Sequence, residues 1–275
     1  MFGDIIRNQL KQLLFQLSQA ELKKIQRYKD LHRGEGCYIV GDGVSIKWFD
    51  LTEFTDKISI SVSLIPFHRD FKVLNSKYLT LAEPFWFYPG FWTKNISNST
   101  SMPYISKAYR DFIKTNLDRQ FFLNISNYPV LRSENVTYLF NGINDKRLME
   151  PFINRRINAF HGSLRFSILL AIYMGFEHVF LVGCDYTHVP SRSRHWYEKG
   201  RGVFVSHENY QKLFFEIAKE FIEITTITLD GTSDFINALT YKKYTGREPV
   251  YKENTELVDD RYLKLLSTWP GYVIY

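Results

Sequence analysis

The chain has 275 residues, of which 45% are hydrophobic and 23% are charged. These proportions are ordinary for a globular protein and exclude a wholly disordered chain and a collagen-like one. No stretch approaches the roughly 18 uninterrupted apolar residues that a membrane-spanning helix needs. The net charge of +6 suits nucleic acid, an anionic membrane surface or an anionic small molecule. Because no run of five basic residues occurs, we expect no nucleic-acid partner.

The chain contains two cysteines, Cys37 and Cys184, in unrelated contexts. This count excludes a disulfide scaffold and a Cys-rich zinc module, and it fits a reducing compartment. The first residues, MFGDIIRNQLKQ, lack the basic segment and apolar run of a secretory signal. We therefore expect a cytoplasmic protein, with peripheral association at the inner face of the membrane as an additional expectation.

An amphipathic helix is predicted over residues 3–31, and we assign residues 1–33 to it as a separate segment. Apolar residues recur there at three- and four-residue spacing, with lysines and Arg27 on other faces. They are Ile6, Leu10, Leu13, Leu14, Leu17, Leu22 and Ile25. Packing on the rest of the protein or on a partner subunit is the simpler interpretation, and docking on a membrane surface is the alternative.

Residues 37–40 form a short apolar run that leads into Gly41, Asp42 and Gly43. This is the pattern of a buried parallel strand that feeds a tight glycine turn. Such a turn lets backbone N–H groups approach a phosphate or a ribose. A plain turn is the alternative, because the third glycine of the dinucleotide-binding motif is absent.

Further elements are predicted in chain order. Strands are expected at residues 58–64 and 78–81, a helix at 104–117, and two or three short strands between 120 and 139. The clearest unit follows, a helix over residues 162–174 that Gly175 ends and a strand at 178–182. A helix, a glycine turn and an apolar strand are half of a right-handed crossover, so we predict a Rossmann-like, doubly wound, mostly parallel α/β sheet.

Residues 186–206 form a long polar segment without apolar periodicity, which is typical of a mobile lid over an active site. A helix at 207–224 and a strand at 225–229 are predicted next. We assign residues 34–240, with the lid, to one Rossmann-like domain. The Tyr- and Lys-rich residues 241–275 are assigned to a tail or small subdomain.

Polar residues follow several predicted strands, and the carboxyl ends of parallel strands share one edge of a sheet. Asp185 there suits recognition of ribose or sugar hydroxyls, with helix capping as the alternative. His207 begins a helix, whose dipole lowers the pKa of the imidazole and keeps it neutral, as a general base requires. A metal site is weighed and not favoured, because the spacing of Cys184, Asp185, His188, His195 and His207 matches no common zinc pattern. No D-x-D triplet occurs, so metal independence is expected of any nucleotide-sugar transferase built on this chain.

The order of these motifs resembles the bacterial sialyltransferases of glycosyltransferase family 42. The matching residues are GDGVS after the first strand, Ser63 after the second, the segment GSLRFSILLAIYMGFEHVFLVGCDY, and the helix HENYQKLFFEIAKEF that begins at His207. The Rossmann-like domain of the flagellin-modifying motility accessory factors is similar as well. The resemblance covers about residues 37–237 and implies a GT-A-like variant of the fold.

The resemblance implies an inverting, metal-independent glycosyltransferase without a cofactor. It would move sialic acid or a related acidic sugar, a nonulosonate or Kdo, from a CMP donor to a glycan hydroxyl, with His207 as general base. Nucleotide and donor would contact Gly41, Asp42, Gly43, Ser45, Ser63, Glu83, Ser163, Gly183 and Asp185. The leaving phosphate would be stabilised by Tyr186, Arg194 and Tyr197. The implied acceptor is a glycan or lipid-linked precursor of bacterial surface polysaccharide, and we expect a homo-oligomer.

Four positions depart from the family pattern. Asp42, Ser63 and Glu83 stand where the family has Asn, and Gly162 replaces a Thr. An acid beside a phosphate is unfavourable unless it faces the ribose or the base. Two alternatives stay open, an ATP- and Mg²⁺-dependent diphosphokinase of the pterin type and a non-catalytic protein that binds a nucleotide or sugar.

Overall fold

A computed structural model describes residues 13, 16, 18–88, 102–140, 143–187, 190–206 and 211–267. Ten strands occur in these residues. They are β1 (Gly36–Val40), β2 (Ile58–Val62), β3 (Ser76–Leu81), β4 (Gln120–Asn124), β5 (Val136–Leu139), β6 (His178–Val182), β7 (Ser191–Ser193), β8 (Val203–Val205), β9 (Glu223–Thr228) and β10 (Asn237–Thr240).

Eight of the strands form one sheet in the order β10-β9-β6-β1-β2-β3-β4-β5. Every neighbouring pair in it is parallel. The central strand β1 places Val40 opposite Ser61 of β2 and Val182 of β6. The predicted Rossmann-like α/β fold is confirmed, and every pairing within this eight-stranded sheet is parallel.

Eight α-helices accompany the sheet in the described residues. They are α1 (Gln19–Leu22), α2 (Met102–Thr115), α3 (Lys146–Asn154), α4 (Ser163–Met174), α5 (Lys212–Ala218), α6 (Tyr241–Thr245), α7 (Asn254–Leu257) and α8 (Asp260–Ser267). None of the described helices is long and apolar enough to cross a membrane.

The two faces of the sheet carry separate hydrophobic clusters, because successive strand side chains point to opposite faces. Tyr38 and Val40 of β1 join one cluster with residues of α2, α7 and α8. Cys37 and Ile39 join the other, with residues of α3, α4 and α5. This double coverage explains why the strands appear in the sequence as continuous apolar runs.

Helix α4 follows the prediction within one residue. Gly175 ends it in the left-handed conformation, at φ 85°, and donates its N–H to the carbonyl of Ile172. Nine of the helix's twelve residues are buried, since it packs between the sheet and neighbouring helices.

Three predicted segments differ from the structure. The helix expected at 207–224 ends at Ala218 in the described residues, and Glu223 already belongs to β9, whose Thr- and Ile-rich residues pair with β6. The N-terminal helix is seen as α1 followed by a 3₁₀ turn over Lys23–Tyr28, while most of residues 1–17 lie outside the described part. Residues 186–206 contain the antiparallel β7–β8 pair.

Segments on the C-terminal side of residue 241 pack against the sheet domain. Tyr241 stacks on Phe49 with ring centroids 4.9 Å apart, and Leu257, Val258 and Leu266 are buried in the same cluster as Val40. The domain boundary at residue 241 stays a prediction.

Gly183 offers a test of how tightly β1 and β6 approach. Its φ is +68°, and a Cβ there would lie 2.6 Å from Cδ1 of Ile46 and 2.8 Å from the carbonyl oxygen of Gly41. Gly246 is the matched control, because its φ is +78° and nothing lies within 4 Å of its Cβ position. Both substitutions to alanine incur the left-handed strain of about 1–2 kcal/mol, and Gly183→Ala adds an overpacking cost of about 1–3 kcal/mol. Urea unfolding should show the larger loss for Gly183→Ala, and equal losses would contradict the close approach.

Candidate functional site

A cavity of about 260 Å³ opens at the carboxyl ends of β1, β2, β3 and β6. The strand order reverses at this point, because β2 to β5 lie on one side of β1 whereas β6, β9 and β10 lie on the other. Ligands of open parallel α/β sheets bind outside the strand ends at such a reversal. The fold therefore marks this cavity as the candidate functional site.

The predicted site residues converge on the cavity, with two exceptions. The lining includes Gly41, Asp42, Gly43, Ser63, Glu83, Ser163, Gly183, Asp185, Tyr186, Arg194 and Tyr197. Ser45 is buried next to the lining and does not belong to it. His207 lies outside the described residues, as does His188. The functional roles of all the predicted site residues stay predictions.

The glycine turn after β1 packs against the loop after β6. The N–H of Gly43 donates to the carbonyl of Gly183 at 2.8 Å, and the N–H of Gly41 donates to that of Val182 at 2.7 Å. A Cβ on Gly43 would lie 2.3 Å from Oδ2 of Asp185. These glycines therefore allow two loops to touch, and the N–H groups of Gly41 and Gly43 are engaged within the chain.

Asp185 joins the same contact. Its Oδ2 accepts a hydrogen bond from the N–H of Ser45 at 3.0 Å. Ser45 lies at the beginning of the 3₁₀ turn Val44–Trp48, so Asp185 caps that turn from a distant loop. The expectation that the N–H groups of this turn approach a phosphate is not met at Gly41, Gly43 or Ser45, because all three donate within the chain.

Two carboxyl groups form one wall of the cavity. Oδ2 of Asp42 accepts from the N–H of Leu64 at 3.2 Å, and Oε1 of Glu83 accepts from the hydroxyl of Ser163 at 3.3 Å. The hydroxyls of Ser63 and Ser163 are themselves 3.3 Å apart. Oδ1 of Asp42 and Oε2 of Glu83 are buried and have no hydrogen-bond partner within the described residues. The described chain therefore leaves two buried carboxyl oxygens of cavity-lining residues without a hydrogen bond.

Burial changes the ionisation of both carboxyl groups. It raises the pKa of Asp42 to about 7, against the lowering effect of the nearby His195 charge. Burial raises the pKa of Glu83 as well, while the hydroxyl of Ser163 and the charge of His195 oppose the rise. At neutral pH this acidic wall thus carries less negative charge than its composition implies.

Residues from the segment between β6 and α5 also line the cavity. His195 bridges Gly43 as in an antiparallel pair, and the N–H of Trp196 donates to the carbonyl of Asp42 at 3.2 Å. Trp196 is fully buried, with its ring edge-on to His68. These contacts bring Arg194 and Tyr197 to the cavity.

A buried lysine anchors the same segment. Nζ of Lys47 donates to the carbonyls of Glu198 and Gly200 and lies 3.5 Å from Oε2 of Glu253. The Lys47 side chain is fully buried, and burial lowers its pKa. An ammonium without solvent contact needs such partners, so Lys47 fixes the path of the chain at residues 198–200.

Strained backbone occurs at two cavity positions that are not glycine. Ser63 has φ 43° and Arg194 has φ 84°. Left-handed conformations of such residues cost about 1–3 kcal/mol and persist where the surroundings impose them. Ser63 is held by its N–H bond to the carbonyl of Thr80 at 2.9 Å.

His195 lines the cavity, although the sequence suggested it for nothing beyond a disfavoured metal site. Its Nδ1 lies 2.7 Å from Oε1 of Glu198, and its ring stacks on Tyr197 at 5.1 Å. Burial favours neutral imidazole, but the bond to Glu198 and the carboxylates of Asp42 and Asp185 outweigh it and raise the pKa of His195. The spacing His195-x-x-Glu198 was the available signal, and it is too short and common a pattern to be specific.

Gln211, the first described residue beyond His207, also lines the cavity. Its Oε1 accepts from Nε of Arg165 at 2.7 Å.

Among the described residues no three His, Cys, Asp or Glu side chains are grouped so as to hold a metal ion.

Comparison with known proteins gives two distant structural similarities. One is to the Maf glycosyltransferase from Magnetospirillum magneticum AMB-1, with TM-score 0.42 and 12% identity over 91% of this chain, which spans 42% of that protein. The other is to the sialyltransferase CstII from Campylobacter jejuni in complex with cytidine 5′-monophosphate, with TM-score 0.41 and 12% identity over 84% of this chain and 97% of that one. No protein-family model and no curated protein sequence matches the chain.

The raised pKa of Asp42 predicts a pH-dependent cost to folding. Between about pH 4 and 7 the unfolded chain ionises this group while the native state resists, so stability falls over this range and the loss is complete above about pH 7. Asp42→Asn removes the cost and should raise Tm by several degrees at pH 8, from roughly 2–4 kcal/mol, with a clearly smaller gain at pH 5.

Asp145→Asn is the control with the opposite sign. The Lys29 ammonium, 2.7 Å away, lowers the pKa of Asp145, so this variant should lose stability at pH 8. Thermal melts of both variants between pH 5 and 8 check the assignment. A difference in Tm between Asp42→Asn and wild type that does not change with pH would show that Asp42 is not buried as described.

Proposed function

We propose that the protein is an inverting glycosyltransferase that moves an acidic sugar from a CMP donor to a glycan hydroxyl without a metal ion. Sialic acid, a related nonulosonate and Kdo are the candidate sugars. The observation that carries the proposal is the mixed lining of the cavity. It combines carboxyl and hydroxyl groups from Asp42, Glu83 and Ser163 with the side chains of Arg194, His195 and Tyr197.

The carboxyl wall suits the nucleoside end of the donor. The cytosine amino group and the ribose hydroxyls are hydrogen-bond donors, and Oδ1 of Asp42 and Oε2 of Glu83 are buried oxygens that lack a partner within the described chain. Partial protonation of Asp42 at neutral pH lets this group approach an anionic ligand at lower electrostatic cost. This arrangement accounts for acids at positions where the resembling family has Asn.

The segment that carries Arg194, His195 and Tyr197 suits the phosphate. Arg194 supplies a guanidinium, His195 an imidazole, and Tyr186 and Tyr197 supply hydroxyls that can donate to phosphate oxygens. Preorganised donors of this kind stabilise the charge that develops on a leaving group. They would take the place that a divalent ion has in metal-dependent transferases.

The proposed reaction forms one bond, breaks one bond and transfers one proton. The acceptor oxygen attacks the anomeric carbon on the face opposite the phosphate, and the bond from that carbon to the phosphate oxygen breaks. CMP leaves with the bonding electrons, and a base takes the acceptor proton. We assign the base to His207 from the sequence, and Gln211, four residues later, lines the cavity.

Calorimetric titration of nucleotides tests the donor class. CMP should bind, and Arg194→Ala should weaken its binding about tenfold or more, because a charge-assisted hydrogen bond contributes roughly 1.5–3 kcal/mol. Arg192→Ala is the matched control, since Arg192 lies two residues away, stacks over Trp48 and Phe204 and does not line the cavity. Binding of ATP with Mg²⁺ and none of CMP would favour the diphosphokinase and overturn the proposal.

Release of CMP from CMP-activated acidic sugars tests the catalytic step. His207→Ala should lower kcat about 100-fold, since a general base contributes 10²–10⁴-fold, while the Kd for CMP stays close to that of wild type. Undiminished turnover in this variant would contradict the assignment of the base. Binding of CMP without any turnover by wild type would indicate the non-catalytic alternative.

A further inference from the structure

The proposed reaction assigns no role to Glu198 or to its hydrogen-bonded pairing with His195. Oε1 of Glu198 accepts from the backbone N–H of His195 at 3.2 Å and lies 2.7 Å from its Nδ1. The Glu198 side chain is 9% exposed, and the carbonyl of the same residue accepts from Lys47. One carboxylate oxygen takes part in two hydrogen bonds with His195, and the backbone of Glu198 is anchored by Lys47. Together these contacts hold the imidazole in one orientation.

The imidazole of His195 belongs to the segment that we assign to the phosphate. His195 lines the cavity together with Arg194 and Tyr197, and its ring stacks on that of Tyr197 with an angle of 6° between the ring planes. Because Nδ1 is bonded to Glu198, any proton exchange with a ligand has to use Nε2. A carboxylate behind one ring nitrogen fixes the tautomer and stabilises the imidazolium, as in a catalytic triad.

The chemistry of the proposed step needs such a group. As the bond between the anomeric carbon and the phosphate oxygen breaks, negative charge grows on that oxygen. A hydrogen-bond donor or a proton placed there lowers the barrier, and it matters most where no divalent ion shares the charge. Arg194 supplies a fixed charge but no transferable proton, since its guanidinium stays protonated.

We propose that His195 is the general acid of the reaction and that Glu198 is its positioning residue. His195 gives its Nε2 proton to the phosphate oxygen that receives the electrons of the breaking bond, and neutral imidazole remains. The acceptor's proton goes to the separate base, so one proton enters and one leaves the enzyme in each turnover. This role rests on the proposed function, because it needs a phosphate as the leaving group.

The role has a pH signature. Several charged groups face His195: Glu198 on its own segment, Asp42 after β1, Glu83 after β3 and Asp185 after β6. Of these groups, Glu198, Asp42 and Asp185 raise the pKa of His195, so its protonated form persists to higher pH than in an ordinary imidazole. Since a general acid works when protonated, kcat should fall as pH rises through this pKa.

Two variants and two measurements test the proposal. His195→Gln keeps a side-chain amide at this position and removes the transferable proton, so kcat should fall about 100-fold while the change in KM stays much smaller. Glu198→Gln removes the carboxylate, so the alkaline fall in kcat should move to lower pH. Imidazole resonances followed by NMR should show His195 titrating at lower pH in Glu198→Gln than in wild type, and the missing signal in His195→Gln assigns it.

The outcomes separate the two proposals. If wild type releases CMP and His195→Gln keeps kcat within twofold with an unchanged alkaline limb, the acid role is overturned and the proposed function stands. A fall in kcat that Glu198→Gln reproduces without any shift of the pH profile or of the His195 titration would also overturn it, because that pattern is structural. A wild type that neither binds CMP nor releases it from a CMP-sugar overturns both.

Discussion

The contact between the loops after β1 and β6 is the constraint on which the site depends. Gly43 donates to the carbonyl of Gly183, and Asp185 caps the turn that contains Ser45. Neither Gly41 nor Gly43 has room for a Cβ, which would lie 2.8 Å or less from atoms of residues 183–185. Side chains there would push the two strand ends apart, so glycine at these positions is a packing requirement of the strand-order reversal.

This contact also determines which groups of the β1 loop are available to a ligand. Because the N–H groups of the glycine turn are engaged within the chain, the β1 loop presents carboxyl oxygens to a ligand, through Asp42. Cationic and phenolic groups come from the segment that Trp196 and Lys47 hold in place. A ligand that carries both hydrogen-bond donors and an anionic group matches this combination of side chains.

Much of the scaffold could be predicted from the sequence because its signals are local. The runs at β1 and β6 are apolar on both faces, and Gly175 ends α4 where the pattern expects it. Since parallel strands share one edge for their carboxyl ends, residues far apart in sequence, such as Ser63 and Asp185, could be expected in one cavity.

The rest depends on contacts that leave little trace in the sequence. Strands β7 and β8 have three residues each, too few for a periodic pattern, and the burial of Trp196 results from long-range packing. Whether an N–H donates to a ligand or to the neighbouring loop is decided by the β6 loop and not by the glycines themselves. His195 acquires its chemistry from Glu198 and from the carboxylates of Asp42 and Asp185 at two different strand ends, which no local motif encodes.

The most direct measurement is a crystal structure of the protein with CMP. We expect the cytidine to lie against Asp42 and Glu83 at the strand ends, with the phosphate within hydrogen-bond distance of Arg194 or His195. A nucleotide placed the other way round, with its phosphate on the glycine turn, or bound away from the carboxyl edge of the sheet, would contradict it.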